Sequence, residues 1–248
     1  MADGAGGASG TGAPGPGPVR AAELLWGARR APARGPRPGL TLERIARAAV
    51  ALADAEGLEG LSMQRVAADL GYTKMSLYRY VSGREDLTAL MVDAAFGPPP
   101  ASLEGEGWRD RLRAWALAVA PLFTAHPWLA QAAVGARVMG PNELGWLEAA
   151  LSALAHTGLS GPERLDAVVL LAGHVRTEAL QSAAGGEDPE GAIARAMGPV
   201  LEEHGDRFPE ARSAMADTQA PGRNMALEFG VECVLDGLAA RMERRGDR

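Results

Sequence analysis

Apolar positions along the chain recur every three or four residues, and no stretch of convincing length alternates apolar with polar. The pattern therefore predicts an all-α protein. Thr41 stands as an N-cap before a helix running to about Glu56. Ile45, Ala49, Leu52 and Ala53 form its inward face, and Gly57 and Gly60 end it. Ser62 caps a second helix in which Val66, Ala67 and Leu70 recur at helical spacing, and Gly71 breaks it where a left-handed C-cap residue belongs. Thr73 caps a third, with Leu77 and Val81 four apart and turned inward. Ser82 and Glu85 have the spacing of a capping box that opens a fourth helix, from Gly83 to about Phe96, before Pro98, Pro99 and Pro100 stop it. Two short helices around a glycine-containing turn form a helix-turn-helix, whose second helix lies in a DNA major groove.

Helical periodicity resumes at Trp108 and predicts helices near 107–125, 128–139, 142–156, 161–184, 189–204 and 222–244. Ser160 with Glu163 gives a second capping box, Pro162 suits a first helical turn, and Asp188 before Pro189 is another start signal. The expected organisation is a Gly/Ala/Pro-rich basic arm over 1–39, a helix-turn-helix domain over 40–96 and a larger helical domain over 97–248.

Composition refines this picture in three places. Residues 1–39 contain 25 Gly, Ala or Pro without sustained periodicity, which predicts a disordered arm. Its Arg29, Arg30, Arg34 and Arg37 suit either a minor-groove or phosphate contact or a solvated linker. The glycine pattern at 10–15 spells a dinucleotide fingerprint, but no strand precedes it and no helix follows it. The net charge of −6 opposes DNA binding only globally. It divides into +3 for 1–39, −2 for 40–96 and −7 for 97–248, so attraction to phosphate must come from local placement. The only lysine, Lys74, falls at the start of the candidate recognition helix. The one cysteine, Cys233, excludes an intramolecular disulfide, fits a reducing cytoplasm and is expected to be a buried thiol. The N-terminus has no signal-peptide core, and no apolar run reaches the roughly 18 residues of a membrane span.

The pattern L-x-x-x-x-V-A-x-x-L-G, then S-L-Y-R-Y-V, then R-x-x-L covers Leu61, Val66, Ala67, Leu70, Gly71, Leu77, Tyr78, Tyr80, Val81 and Leu87. On these residues the chain resembles the tetracycline-repressor (TetR) family of bacterial transcriptional regulators, over residues 41–96. The remainder is similar in outline, through its helix count, the His126-Pro127-Trp128 segment and the closing apolar helix. The resemblance implies a homodimer on double-stranded DNA with a small-molecule pocket in the larger domain, and repression as the usual mode. The family pattern does not settle the role of the long N-terminal arm.

The first turn of the helix after Thr73 is expected at base edges. Lys74 has the reach and charge for guanine O6 and N7, Ser76 can donate or accept, and Met75 can pack on a thymine methyl. Arg79 suits a base or a phosphate. By resemblance, Gln64 matches a base-reaching position, and Tyr78 and Tyr80 match phosphate-contacting aromatics that fix register. Arg44 and Arg84 are candidate phosphate partners. Two such units held about 34–36 Å apart would read successive grooves of a near-palindromic operator.

For the dimer that the family implies, Leu165, Val169, Ala172 and Ala179 on one helix and Leu227, Val231, Val234 and Leu238 on the last are the expected interface. For its lipophilic effector, Trp115, Phe123, Trp128, Met139 and Trp146 are expected to line the pocket. Gln131, Asn142 and His174 are the expected polar contacts, with His126 and Arg176 as further candidates. Tryptophans at helical spacing and a histidine such as His174 in an apolar helix are more often core, and His126 before proline reads as a helix-end residue. The chain has no H-E-x-x-H, phosphate loop, G-x-S-x-G or convincing paired-carboxylate site, so it is not expected to be an enzyme, and no cofactor is implied. A ligand-independent DNA-binding regulator or an activator of the same fold remains the alternative.

Overall fold

The computed structural model describes residues 16–27, 39–135, 137–185, 188–217 and 225–246. Among them there is no strand, and no helix is long and apolar enough to cross a membrane. The first helix, α1 (Pro16–Trp26), lies within the stretch that composition marked as disordered. Part of the arm is thus ordered: Ala21, Ala22, Leu24 and Leu25 are half-buried, and Leu24 packs on the core. Composition missed it because a short apolar segment gains order by docking and has little of its own. The arginines at 29, 30, 34 and 37 and the glycine run at 10–15 lie outside the described residues.

Next come α2 (Leu42–Glu56), α3 (Met63–Asp69), α4 (Lys74–Tyr78) and α5 (Arg84–Phe96). Thr41 accepts from the Arg44 amide at 3.2 Å and starts α2, as the sequence predicts. Ile45, Ala49 and Ala53 form a buried stripe at four-residue spacing. The small Ala49 and Ala53 let α2 lie close along α5, while Val66, Ala67, Leu77, Val81, Leu87 and Met91 complete the small core. The opening of α5 differs from the expected capping box. Asp86, buried, accepts both the Ser82 amide at 3.1 Å and the Ser82 hydroxyl, while Glu85 points to solvent. The carboxylate one residue further along faces the core side, where it displaces Glu85 from the role.

Gly97 (φ 58°) ends α5 in the left-handed region. The body follows: α6 (Trp108–Ala125), α7 (Leu129–Ala132), α8 (Pro141–Ala153), α9 (Gly161–Gly185), α10 (Pro189–His204), a 3₁₀ turn (Gly205–Arg207), α11 (Pro209–Asp217) and α12 (Ala226–Gly246). The expected helix over 128–139 is only the single turn α7, and residues 137–140 before α8 are not helical. No helix was expected at α11. The caps at Ser160–Glu163 and Asp188 form as predicted, with Ser160 N–H donating to Glu163 at 3.0 Å and Gly191 N–H donating to Asp188 at 2.9 Å.

Val231, Leu235 and Leu238 of α12 are buried with Leu171 and Val175 of α9 in the same core cluster, and α9 also packs on α6. Arg109 and Arg113 of α6 pair with Glu232 of α12 at 2.6 and 2.5 Å, and Arg109 also reaches Asp236 at 2.6 Å. Cys233 is exposed rather than buried, because it lies on the face of α12 opposite that stripe.

Candidate nucleic-acid interface

The turn between α3 and α4 is set by Gly71. Its φ of 74° is natural for glycine, and the Tyr72 and Gly71 amides donate to the Ala67 and Ala68 carbonyls at 2.8 and 3.0 Å. This pair of bonds is a Schellman stop, which ends α3 and turns the chain into α4 within three residues. Thr73 then caps α4, accepting from the Ser76 amide at 3.3 Å, and its hydroxyl lies 3.0 Å from that of Ser76. Leu77 and Val81 are fully buried in the core cluster, and the helix packs on α3.

That anchoring decides which side chains face outward. Met75 is 72% exposed, an extent that burial alone never asks of a methionine. Lys74 is exposed beside it, its ammonium 5.5 Å from the centre of the Tyr78 ring, which limits where the charge can swing. Tyr78, Arg79 and Tyr80 are exposed at the other end of α4, and Gln64 is exposed on the first turn of α3. Thr73, Lys74, Met75, Tyr78, Arg79, Tyr80 and Gln64 are therefore all exposed on the helix-turn-helix, with Ser76 half-buried. Arg44 donates to the Gly39 carbonyl at 3.3 Å, at the start of α2.

Arg84 is exposed and also has a role within the fold. It donates to the Leu58 and Leu61 carbonyls at 2.7 and 3.3 Å, so its guanidinium serves to tie down the α2–α3 connection. Arg65, which the sequence did not single out, does similar work, donating to Glu56 at 2.5 Å and to the Gly60 carbonyl at 3.1 Å. Its hydrogen bond holds the Glu56 carboxyl below its ordinary range.

The residues expected to line a pocket form the joint between the two domains and the body's core. Asp54 of α2 accepts from Trp128 Nε1 at 2.6 Å and His126 Nδ1 at 2.8 Å. Asp93 of α5 is buried and caps α8 from outside, its Oδ1 accepting the Asn142 and Glu143 amides at 2.8 and 3.0 Å. The Asn142 side chain returns a bond to the Asp93 carbonyl at 2.9 Å, and Trp146 Nε1 donates to the Phe96 and Gly97 carbonyls at 3.2 and 3.1 Å. Trp115 Nε1 donates to the Trp146 carbonyl at 2.8 Å, and Phe123 meets Phe96 edge-on at 6.1 Å. His174 Nε2 lies 3.1 Å from the Leu227 carbonyl, between α9 and α12. Gln131 and Met139 are exposed. Trp115, Trp128, Asn142, Trp146 and His174 thus have polar partners within the fold.

Two surface clefts lie elsewhere. One, of about 350 Å³, is lined by Glu148, Leu151, Ser152, Ala155, Gly161, Arg164 and Leu165. The other, of about 310 Å³, lies between α10 and α11, beside Leu201 and Met215. Asp54 and Asp93 were legible only as acids within apolar helical runs, a signal that sequence reasoning passed over.

The expected dimer face also divides. Val231, Leu238 and Ala179 are buried within the subunit, and Ala172, Leu227 and Val234 pack against the same core. A 4-3-4 stripe shows that a helix face is covered but not by which partner, and here that partner is α9 of the same chain. The exposed apolar surface instead contains Leu165, Val169 and Leu170 of α9 and Phe229 of α12, the last at 72% exposure.

Residues 39–91 match the family described as "Bacterial regulatory proteins, tetR family", and residues 100–242 match "Tetracyclin repressor-like, C-terminal domain". The chain is 41% identical over 242 residues to the HTH-type transcriptional repressor DrrR1 of Streptomyces coeruleorubidus, covering 92% of this chain and 88% of that one. It is 25% identical over 209 residues to the class E tetracycline repressor protein of Escherichia coli, covering 83% and 94%. Among solved structures, the Streptomyces coelicolor TetR family protein ActR in complex with actinorhodin superposes with a TM-score of 0.71 at 28% identity. That match covers 82% of this chain and 97% of ActR.

Proposed function

Because the chain belongs to the TetR family of bacterial transcriptional regulators, we propose that it acts as a homodimeric repressor which reads a near-palindromic operator through α4 and leaves it on binding a small lipophilic effector. The observation that carries the reading is the first turn of α4. Thr73 caps it, Leu77 and Val81 anchor it, and Lys74 and Met75 are left free to meet base edges. Gln64 and Arg79 flank that turn, and Tyr78, Tyr80 and Arg44 suit the phosphates. Ser76 reads bases only if its hydroxyl turns from Thr73. Arg84 places two of its five N–H donors on the Leu58 and Leu61 carbonyls and stays a candidate phosphate partner.

The twofold pairing is supported by the exposed apolar side chains of Leu165, Val169 and Leu170 on α9 and Phe229 on α12, which a lone subunit would leave in water. ActR was solved with actinorhodin and DrrR1 is named a repressor, and both support an effector-released repressor here. An effector works only if it prefers a conformer in which the two copies of α4 no longer match the groove spacing. The Asp54 and Asp93 joints are where such a change passes from body to reading head.

The test is a gel shift on the DNA upstream of the chain's own gene, with and without candidate lipophilic compounds. A sequence-specific shift that a compound abolishes supports the reading. Binding that ignores sequence, or no binding by a dimeric protein, overturns it.

A further inference from the structure

We infer that α1 is a positioning strap for the DNA-reading head, with Trp26 as its anchor. This rests on the operator-reading function proposed above. The helix precedes the first family match, which begins at residue 39, so nothing in that match assigns it a role. It packs along α5, the helix that follows directly from α4 and carries the head. Leu24 contributes apolar contact there, and Trp26 Nε1 donates to the Met139 carbonyl at 2.9 Å, across 113 positions of chain.

Met139 belongs to the non-helical stretch that leads into α8, where the head meets the body. Its neighbour Gly140 lies against Asp93 so closely that a Cβ would come within 2.2 Å of the carboxylate carbon. Two residues back, Arg137 donates to the buried Glu143 at 2.5 Å, and the Glu143 amide is itself held by Asp93. Residues 137–143 are thus gripped by α5 through Asp93 and by α1 through Trp26. A helix that packs on α5 and bonds to this stretch spans the joint about which α5 must move if the head tilts against the body.

The physical consequence is preorganisation. Two heads must meet two grooves at one fixed spacing, so every alternative tilt of α5 lowers the competent fraction and raises the apparent dissociation constant in proportion. The strap narrows that range without touching DNA. Trp26→Phe keeps an aromatic ring but removes the N–H donor along with part of the indole, so it is expected to weaken operator binding about two- to tenfold, the counterpart of one net hydrogen bond. Leu24→Ala with Trp26→Phe is expected to weaken it further.

Three readouts separate a strap from other roles. The slope of log affinity against log salt should stay at the wild-type value, because no phosphate contact is lost. Affinity for random duplex should be unchanged, and the thermal midpoint should stay within a few degrees of wild type. A reduced salt slope would mean that α1 touches DNA, and unchanged or tighter operator binding would mean that it does not position the head. Either result overturns the inference. If the wild-type dimer itself binds no operator, the function proposed above fails, and the two failures are thereby distinguished.

Discussion

Replacing Gly140 by alanine probes the joint between reading head and body at its tightest point. The backbone there has φ −79° and ψ 175°, a conformation any residue adopts. On backbone grounds alone the added methyl would stabilise the fold by about 0.4–1 kcal/mol, through lost freedom of the unfolded chain. Sterics reverse the sign. The new Cβ would lie 2.2 Å from both Cγ and Oδ1 of Asp93 and 2.7 Å from its Cβ. Asp93 must swing away, and Oδ1 then loses the Asn142 and Glu143 amides that it accepts at 2.8 and 3.0 Å.

Hydrogen bonds to a charged group contribute about 1.5–3 kcal/mol each, and forcing a methyl into packed space costs about 1–3 kcal/mol. Taking the low end of each and subtracting the backbone gain leaves about 3 kcal/mol of destabilisation. For a chain of this size that corresponds to a fall of about 6–12 °C in Tm. The assay is thermal unfolding followed by helical circular dichroism at fixed protein concentration. Gly107→Ala is the matched control. Gly107 also holds an extended N-cap, before α6, and a Cβ there meets nothing within 4 Å. A Gly140→Ala midpoint equal to that of Gly107→Ala would refute the reasoning.

Glu232 supplies a pH signature. Hydrogen bonds from Arg113 and then Arg109 hold its carboxyl at about 2, against an ordinary 4.5. A depressed folded value stabilises above the unfolded value and is lost as pH falls, so the α6–α12 tie should fade between about 4.5 and 2. The group is partly solvated, so the effect is held to about 1 kcal/mol or less. Denaturant titrations of wild type and Glu232→Gln should converge as pH falls through that window, and parallel curves would contradict the assignment. Charging the exposed patch with Val169→Glu and Phe229→Glu should give a folded monomer by sedimentation, with operator binding lost, while a dimer that persists would place the interface elsewhere. By contrast, Val231→Ala should lower subunit stability by about 1–3 kcal/mol, as a buried large-to-small change does, and measured stability close to wild type would contradict its place in the core.

Much of the reading head was legible because its signals are local. Thr41, Ser62 and Thr73 each cap the helix they precede, and Gly71 bends the chain where its freedom at positive φ is required. What the sequence hid were choices between equivalent partners. Asp86 and Glu85 are both carboxylates within reach of Ser82, and only the direction of the helix face selects Asp86. Val231 and Leu238 needed an apolar cover, which α9 of the same subunit supplies. The indole N–H groups of Trp115 and Trp146 meet backbone carbonyls across helices and brace the core, pairings that helical spacing does not reveal. Arg84 carried the charge for phosphate yet faces two carbonyls. Long-range pairings such as Trp26 with Met139 leave no periodic trace in a sequence.

The central claim is that Lys74 and its neighbours on α4 read bases while a twin subunit sets the spacing. The most direct test is selection of bound duplexes from a random pool by the wild-type chain and by Lys74→Ala. Wild type should enrich a near-palindrome with half-sites about one helical turn apart. Lys74→Ala should lose its preference at one symmetry-related pair of positions and keep the half-site spacing. An identical motif from both proteins, or no motif from either, would contradict the account.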